Sequence, residues 1–375
     1  MAFFLEVLIG GLLVGVLYSL VALGFVLIFK ASGVFNFAQG AMVLMAGLVL
    51  VQLLDPTYIG KWHFAGVAAL VAGTIGVLAL RALKPVAVTG GGTAARRLPL
   101  LVGAGTGVLG GILALSAGGK GWPVWLAVPA SAIVMVAIAY AIERVVLRRL
   151  VNQEGIILFM ATLGITFFID GFGQTIFGSN VYKLDPKIYF GIPNEPVFLL
   201  EGVFAGGILV NNLDIWGGIV AALLVGALAL FFQYTRTGRA LRAVADDHAA
   251  AQSVGIPLNW IWFIVWSVAG IVALVAAMVW GSKLGIQFSI TFLALKALPV
   301  LILGGFTSVP GAIVGGLLIG AGEKLAEVYL PQLAKDLLGV PMSGGIEYWF
   351  AYVLALAFLL FRPQGLFGER IIERV

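Results

Sequence analysis

The sequence predicts an all-α fold, a polytopic membrane protein of about eleven transmembrane helices. Three observations predict it. Hydrophobic residues make up 61% of the 375 positions and charged residues only 10%, under half the charged share of an average soluble domain. The apolar residues fall in runs of about 20, the length an α-helix needs to cross a hydrocarbon core. The 12 arginines can all be placed on one side of the membrane, the bias that orients membrane proteins. A water-soluble enzyme would lack the polar residues to cover its surface. Disorder requires low hydrophobicity and high net charge, and a transmembrane barrel requires short alternating segments. With no cysteine, neither disulfides nor thiolate metal sites are available.

The apolar runs are Leu5–Phe29, Gly33–Leu54, Phe64–Leu83, Leu98–Ala117, Trp122–Ile142 and Ile156–Phe177, followed by Ile215–Tyr234, Asn259–Gly281, Ile286–Leu303, Val309–Val328 and Ile346–Phe361. Together they form a single transmembrane domain over residues 1–375. If each run crosses once, with the N-terminus periplasmic and the C-terminus cytoplasmic, the inside segments hold Lys30, Arg81, Lys84, Arg96, Arg97, Arg144, Arg148, Arg149, Arg236, Arg239, Arg242, Arg362, Arg370 and Arg374. The outside segments then hold only lysines: Lys61, Lys120, Lys183, Lys187, Lys283 and Lys335. An error of one span would scramble this alternation. The net charge of +5 is therefore a topology signal and no sign of nucleic acid binding, because the arginines form no continuous stripe. Met1–Glu6 carries no basic residue, unlike a signal peptide, so the first run is expected to be retained.

Two loops exceed a turn. The outer loop Gly178–Asp214 contains Pro186, Pro193 and Pro196, and its length predicts a small external cap. The inner loop Thr235–Pro257 reads as a short amphipathic helix from Arg239 to Ser253, stopped by Gly238 on one side and by Gly255 and Pro257 on the other. Ala240, Leu241, Val244, His248 and Ala251 share one face. A helix resting on lipid headgroups would suit Arg239 and Arg242, but Asp246 and Asp247 oppose it. A small-residue face favours docking to a protein.

Polar groups inside spans default to functional candidates. Asp170 lies past the middle of its run, within reach of outer water. Glu323, Lys324 and Glu327 stand near the end of theirs, where snorkelling explains them. Lys296 reads equally as a structural ion pair, an interfacial lysine or a solute contact. In Ser32–Gly40, SGVFNFAQG, Asn36 and Gln39 open an apolar run. They serve either as helix caps or as amide contacts for a polar solute at a broken helix. The candidate pathway residues are Asn36, Phe37, Gln39 and Asp170. The two histidines, His63 and His248, belong to different faces. There is no H-E-x-x-H motif, and GAGEKL at Gly320–Leu325 has Glu where a P-loop needs Lys. No catalytic constellation and no cofactor site follows. An ion-coupled secondary transporter or channel for a small amide or amino acid is the rival reading; it would depend on Asp170.

SGVFNFAQG, AIERVVLRRL at Ala141–Leu150, the Thr235–Pro257 segment, and LGGFTSVPGAIVGGLLIGAGE with a final FRPQGLFG resemble, in order, the LivH-type permease subunit of branched-chain amino acid ABC importers. The resemblance covers nearly all of the chain outside Pro56–Gly121, which reads as a two-helix insertion joined by the basic loop Lys84–Arg97. The resemblance implies a multi-pass protein of the bacterial inner membrane that catalyses no reaction itself. It implies a second, LivM-type permease subunit, two cytoplasmic ABC ATPases, and a periplasmic binding protein that delivers branched-chain amino acids or similar small solutes. It also implies that residues 235–257 are the coupling helix, meeting the ATPase through Arg239, Arg242, Asp246, Asp247, Ala250, Ala251 and Gly255. Ala249 stands where the coupling motif E-A-A-x-x-x-G has Glu. Gln39 stands where the family commonly has His, which keeps hydrogen bonding and loses titration.

Overall fold

In the computed structural model, residues 2–58, 60–83, 103–112, 121–150, 153–193, 195–199, 201–202, 207–246, 248–339 and 344–368 are described. Each apolar run overlaps a helix among the described residues. Among those residues six helices are long and apolar enough to cross a membrane: α1 (Ala2–Ser32), α5 (Val124–Ala141, continued to Leu150), α6 (Gly155–Phe177), α8 (Asn212–Tyr234), α11 (Leu258–Leu284) and α13 (Val309–Leu338). Four more are apolar but shorter: α2 (Gln39–Leu54), α12 (Leu293–Gly304), α14 (Ile346–Phe361), and the apolar part of α3 (Lys61–Leu83). The run expected at Leu98–Ala117 is helical over 103–112, here α4.

The bundle is layered by composition. All residues of α2 are buried, as expected of a helix apolar on every side, and α1 is buried almost continuously from Leu17 to Ile28. Around them α6, α8 and α14 expose Phe167, Phe168, Leu223, Leu230 and Leu360, a surface that only lipid or another protein can cover.

One seam sets the register of the core. Gly11, Gly15 and Ser19 on α1 face Gly316 and Gly320 on α13. A Cβ on Gly15 would come within 2.6 Å of the Gly316 carbonyl oxygen, and one on Gly320 would overlap the Gly15 backbone. Small residues every fourth position allow such backbone contact. Ser19 Oγ lies 2.9 Å from Gly15 O and 3.2 Å from Ile313 O, so its hydroxyl joins the two helices at the seam.

Helix α3 carries a similar seam. Gly73 meets the Gly103 carbonyl and Gly107 the Ala69 carbonyl, so α3 and α4 form a close hairpin, whose α3 packs on α5 and α2. The loop Lys84–Arg97 lies outside the described residues.

The long loop folds as a small cap. It holds the helical turn α7 (Pro186–Phe190), started by Pro186 and capped by Asp185, which accepts the Lys187 N–H at 2.9 Å. It also holds an antiparallel hairpin, β1 (Pro196–Leu199) with β2 (Ile208–Asn211). Tyr182 pairs with Ile286 through two backbone hydrogen bonds and tethers the cap to the α11–α12 connection. Its phenol donates to the Phe177 carbonyl, and burial holds that phenol above its usual pKa.

The helix after Thr235 starts earlier than its sequence pattern indicates. Helix α9 runs Arg236–Asp246 and α10 runs His248–Ser253. Gly238 is no stop signal. It lies inside α9, where a side chain would overlap the Phe231 and Phe232 carbonyls, and its N–H is capped by Thr235 Oγ1 at 2.9 Å.

The α1–α13 seam predicts a sharp contrast. Gly320→Leu should destabilise the purified protein by about 3 kcal/mol, the upper end of overpacking costs. Gly164→Leu, where the space is open, should leave the thermal unfolding temperature unchanged. Equal melting temperatures for the two variants would refute the seam's role.

Candidate functional site

Two interrupted helices meet in the middle of the bundle. Helix α1 ends at Ser32, Gly33 takes a left-handed conformation (φ 67°), and α2 begins only at Gln39. The chain turns back into the bundle between them. Gln39 sits against Gly24, where a Cβ would lie 2.5 Å from Gln39 Nε2. Gly24 is eight residues before Ser32, about 12 Å at 1.5 Å per residue. The same interruption recurs after α11, where a 3₁₀ turn, Phe288–Phe292, precedes α12. The two starts touch: a Cβ on Gly40 would overlap the Thr291 carbonyl. From this point α2 and α12 run to opposite ends of the bundle. Helix N-termini carry unpaired N–H groups and a partial positive charge. Two of them at mid-depth are the arrangement by which membrane carriers contact anionic solute groups.

The polar residues expected here are present and buried. Asn36 and Gln39 are both 0% exposed. Asn36 Nδ2 donates to Gln39 Oε1 at 3.2 Å, and Gln39 Nε2 donates to the Ala269 carbonyl of α11 at 3.2 Å. Neither side chain caps α2, so the capping alternative fails. Asn36 Oδ1 is buried without a hydrogen-bond partner among the described residues. A buried amide oxygen of this kind costs free energy unless a donor reaches it. Phe37 donates its N–H to Thr162 Oγ1 at 3.2 Å, and its ring stands edge-on to Phe159 at 5.8 Å. Phe35 stacks on Phe25 and touches Phe159 and Phe306, so aromatic rings close the amide pair off from one end of the bundle.

Asp170 is half-buried and accepts a hydrogen bond from Thr291 Oγ1 at 2.9 Å, which brings it to the same meeting point as Gly40. Snorkelling fails for Glu323, which is 2% exposed. Glu323 accepts from the Tyr18 phenol at 2.9 Å and pairs with Lys296 at 3.4 Å. Lys296 lies 4.0 Å from Glu347 and over the ring of Tyr348 at 5.0 Å. Tyr18 stacks on Trp280 at 5.9 Å. Of the three readings of Lys296, the ion pair is the one observed. Tyr18 and Glu347 escape sequence inspection: a tyrosine inside an apolar run and an acid beside a helix start carry no pattern of their own.

At the end bearing the described arginines, α5 passes through a π turn, Ile142–Val146, into a 3₁₀ turn. The wider turn puts Glu143 and Arg148 on one face, where Arg148 donates twice to Glu143, at 2.9 and 3.1 Å. They line a cavity of about 450 Å³ with Gln153, Trp262 and Trp266. Nearby, α9 buries Gly238, Leu241 and Val244 against the bundle, and α10 buries Ala251. Arg236, Arg239, Arg242, Asp246 and Ala250 are exposed, spaced three or four residues apart and so on one side. The apolar face therefore turns into the protein's own core, and Ala251 with it; the outward face is the charged one. Gly255, exposed and left-handed (φ 84°), ends the unit. Asp247 lies outside the described residues.

The buried ion pair makes a measurable prediction. Lys296→Met leaves Glu323 with an uncompensated charge and should cost on the order of 2 kcal/mol. Adding Glu323→Gln should recover most of that loss in thermal unfolding of the purified protein. Additive losses would refute the coupling.

A family model described as the permease component of the branched-chain amino acid transport system matches residues 99–361. The high-affinity branched-chain amino acid permease LivH of Escherichia coli K12 is 27% identical over 379 residues, covering 100% of this chain and 98% of LivH. BraD of Pseudomonas aeruginosa, of the same description, is 28% identical over 374 residues, covering 99% and 98%. A probable LivH of Methanocaldococcus jannaschii is 26% identical over 239 residues, 62% and 69% of the two chains. The match takes in the second interruption, the Lys296–Glu323 pair and the α9–α10 unit. The chain therefore belongs to the family of branched-chain amino acid transport permease components: it is a multi-pass cell-membrane protein and not itself an enzyme.

Proposed function

We propose that this chain is one membrane-spanning subunit of an ATP-driven importer, moving branched-chain amino acids or similar small apolar solutes. A periplasmic binding protein delivers the solute, a second LivM-type permease subunit completes the pathway, and two cytoplasmic ABC ATPases drive it. The observation that carries this reading is the α9–α10 unit. Its apolar face is anchored in the bundle while Arg236, Arg239, Arg242 and Asp246 stand outward. A stand-alone carrier has no use for a rigid charged ledge; a docked ATPase does.

In this reading the arginine-bearing end is cytoplasmic, the eleven helical runs each carry the chain across once, and the N-terminus is periplasmic. The α7 and β-hairpin cap then faces the binding protein. The α3–α4 hairpin within 56–121 is an insertion on the bundle's flank. Solute passes the amide pair Asn36 and Gln39 and the ring of Phe37, with Asp170 at the same level. ATP-driven closure of the ATPases presses on α9, which packs on α1, α8 and α11, and shifts access from one end of the pathway to the other.

The test is co-purification with the P-loop ATPases encoded beside the gene, together with leucine uptake by the assembled complex. Arg236→Glu, Arg239→Glu and Arg242→Glu in one chain should abolish association while leaving the protein's melting temperature intact. Association that survives the triple reversal would overturn the docking assignment. A wild-type complex that takes up no branched-chain amino acid would overturn the substrate.

Asn36→Leu supplies a second check. It should reduce leucine uptake at least tenfold, equivalent to about 1.4 kcal/mol, with ATPase association unchanged. Unaltered uptake would remove the amide pair from the pathway.

A further inference from the structure

Helix α13 stops short of the arginine-bearing end, and a cleft lies beneath it. Helices α1 and α8 run side by side and end together. A Cβ on Gly218 would lie 2.6 Å from Leu13, and one on Gly217 would lie 3.8 Å from Leu17. Counting on from these contacts puts Lys30, close to the end of α1, level with the last turn of α8. The seam register places the start of α13 higher. Gly15 meets Gly316 and Leu317, so Val309, where α13 begins, is level with Ala22 or Leu23. At 1.5 Å per residue that is roughly 11 Å short of Lys30.

The space between is a cavity of about 380 Å³. Leu27 of α1, Ala229 and Phe232 of α8, and Val309 give it apolar walls. Lys30 and Arg242 give it two cations. Arg242 Nη2 donates to the Gln233 carbonyl at 3.3 Å, which holds the guanidinium by the end of α8. Among the described residues no carboxylate lines the cavity. At the same end Arg148 has Glu143 as its partner, whereas Lys30 and Arg242 have no carboxylate partner among the described residues. Two cations lining one cavity repel each other unless an anion lies between them.

We propose that this cleft binds an anionic phospholipid from the leaflet at the arginine-bearing end. The phosphate lies between Lys30 and Arg242, and an acyl chain follows Leu27 and Phe232 towards Val309. The combination of walls and charges selects the ligand. A free phosphate has no use for apolar walls, and a neutral chain has no use for two cations. Basic pockets between transmembrane helices at a membrane face suit anionic headgroups. Leu230 and Tyr234, beside the lining residues of α8, are exposed, so the cleft adjoins surface that lipid can reach. The bound headgroup bridges α9 to α1. The proposal does not depend on the importer reading, since a stand-alone carrier with this cleft would bind the same lipid.

The chain has no cysteine, so one introduced thiol reports on the cleft without background. Thr307 lines the cavity, and Val254, 75% exposed, stands outside it. The full-length Thr307→Cys and Val254→Cys chains, in nanodiscs, are labelled with uncharged N-ethylmaleimide. Phosphatidylglycerol at ten times its half-effect mole fraction, in a phosphatidylcholine background, should slow labelling of Thr307→Cys roughly tenfold, as simple occupancy requires. Val254→Cys should be unaffected. Inorganic phosphate and glycerophosphoglycerol, the headgroup without its chains, should protect neither. Lys30→Gln should raise the half-effect mole fraction about fivefold, the factor carried by one cation near an anionic surface. Arg242→Gln should do the same, and Lys30→Arg should not. Phe367→Cys, which also lines the cavity, repeats the measurement if Thr307→Cys fails to fold.

Equal slowing at Val254→Cys would mean a bulk surface-charge effect and would overturn the proposal. Protection by inorganic phosphate would mean a site for a free anion and would overturn it too. So would labelling that is as slow in pure phosphatidylcholine, or that Lys30→Gln leaves unchanged. A cleft that labels freely in every lipid and is covered only when the ATPases are added would belong to a partner protein, and the lipid site would be lost. The lipid measurements use the chain alone, so failure of the ATPase docking assignment leaves their result untouched.

Discussion

The close contact of α1 with α13 is the constraint on which the rest of the bundle depends. Without side chains at Gly15, Gly316 and Gly320 the two backbones touch, and that contact fixes both axial register and rotation. Tyr18 is three residues beyond Gly15 and Glu323 three beyond Gly320, so the register that lets the glycines meet also brings the phenol to the carboxylate at 2.9 Å. The hydrogen bond is a consequence of the seam, and Lys296 then completes a pair that would be costly to bury singly. Dispersion at the seam and a satisfied polar network beside it favour the same arrangement. Agreement between levels is what lets a sequence with so few charges specify one packing.

The interruptions of α1–α2 and α11–α12 follow a second logic. In a bilayer a broken helix needs its freed backbone groups satisfied or enclosed by protein. Here α2 is wholly buried, and its start is covered by Thr162, Phe35 and the 3₁₀ turn at Phe288–Phe292. The cost of opening two helices at mid-depth is thus met by wrapping them in intact ones.

The helices were legible because hydrophobic runs obey strong, additive rules. Each of the eleven runs overlaps a helix, though among the described residues only six helices are long and apolar enough to span alone. Part of the shortfall lies in α2 and α12, whose first turns are replaced by extended or 3₁₀ backbone, and hydropathy is blind to that difference. Asn36 and Gln39 were legible as polar residues in an apolar context, and their burial follows. Glu323 was misread because position along a run suggested the interface, whereas α13 continues to Leu338 and carries it inward. The loop helix and its apolar face were legible, but not what covers that face: Leu241, Val244 and Ala251, expected to dock on a protein, lie in the protein's own groove, while Ala250 stays exposed. A helical wheel shows that two faces differ and is silent about which one its own chain covers.

That burial sets how force would travel in the proposed importer. A helix docked by an outward apolar face would move with its partner and slide over its own bundle. Helix α9 has the opposite arrangement. Leu241 shares a groove with Leu27 and Lys30 of α1 and with Thr307–Pro310 at the start of α13, so a push on its charged face is delivered to both members of the glycine seam. Packed backbones transmit displacement without much local compression, and α1 and α13 must therefore shift as a pair. The Tyr18–Glu323 bond rides on that pair, while Lys296 is carried separately on α12. Relative movement of α12 against the seam would lengthen or shorten the 3.4 Å contact between Lys296 and Glu323, and so would change how firmly Lys296 is held.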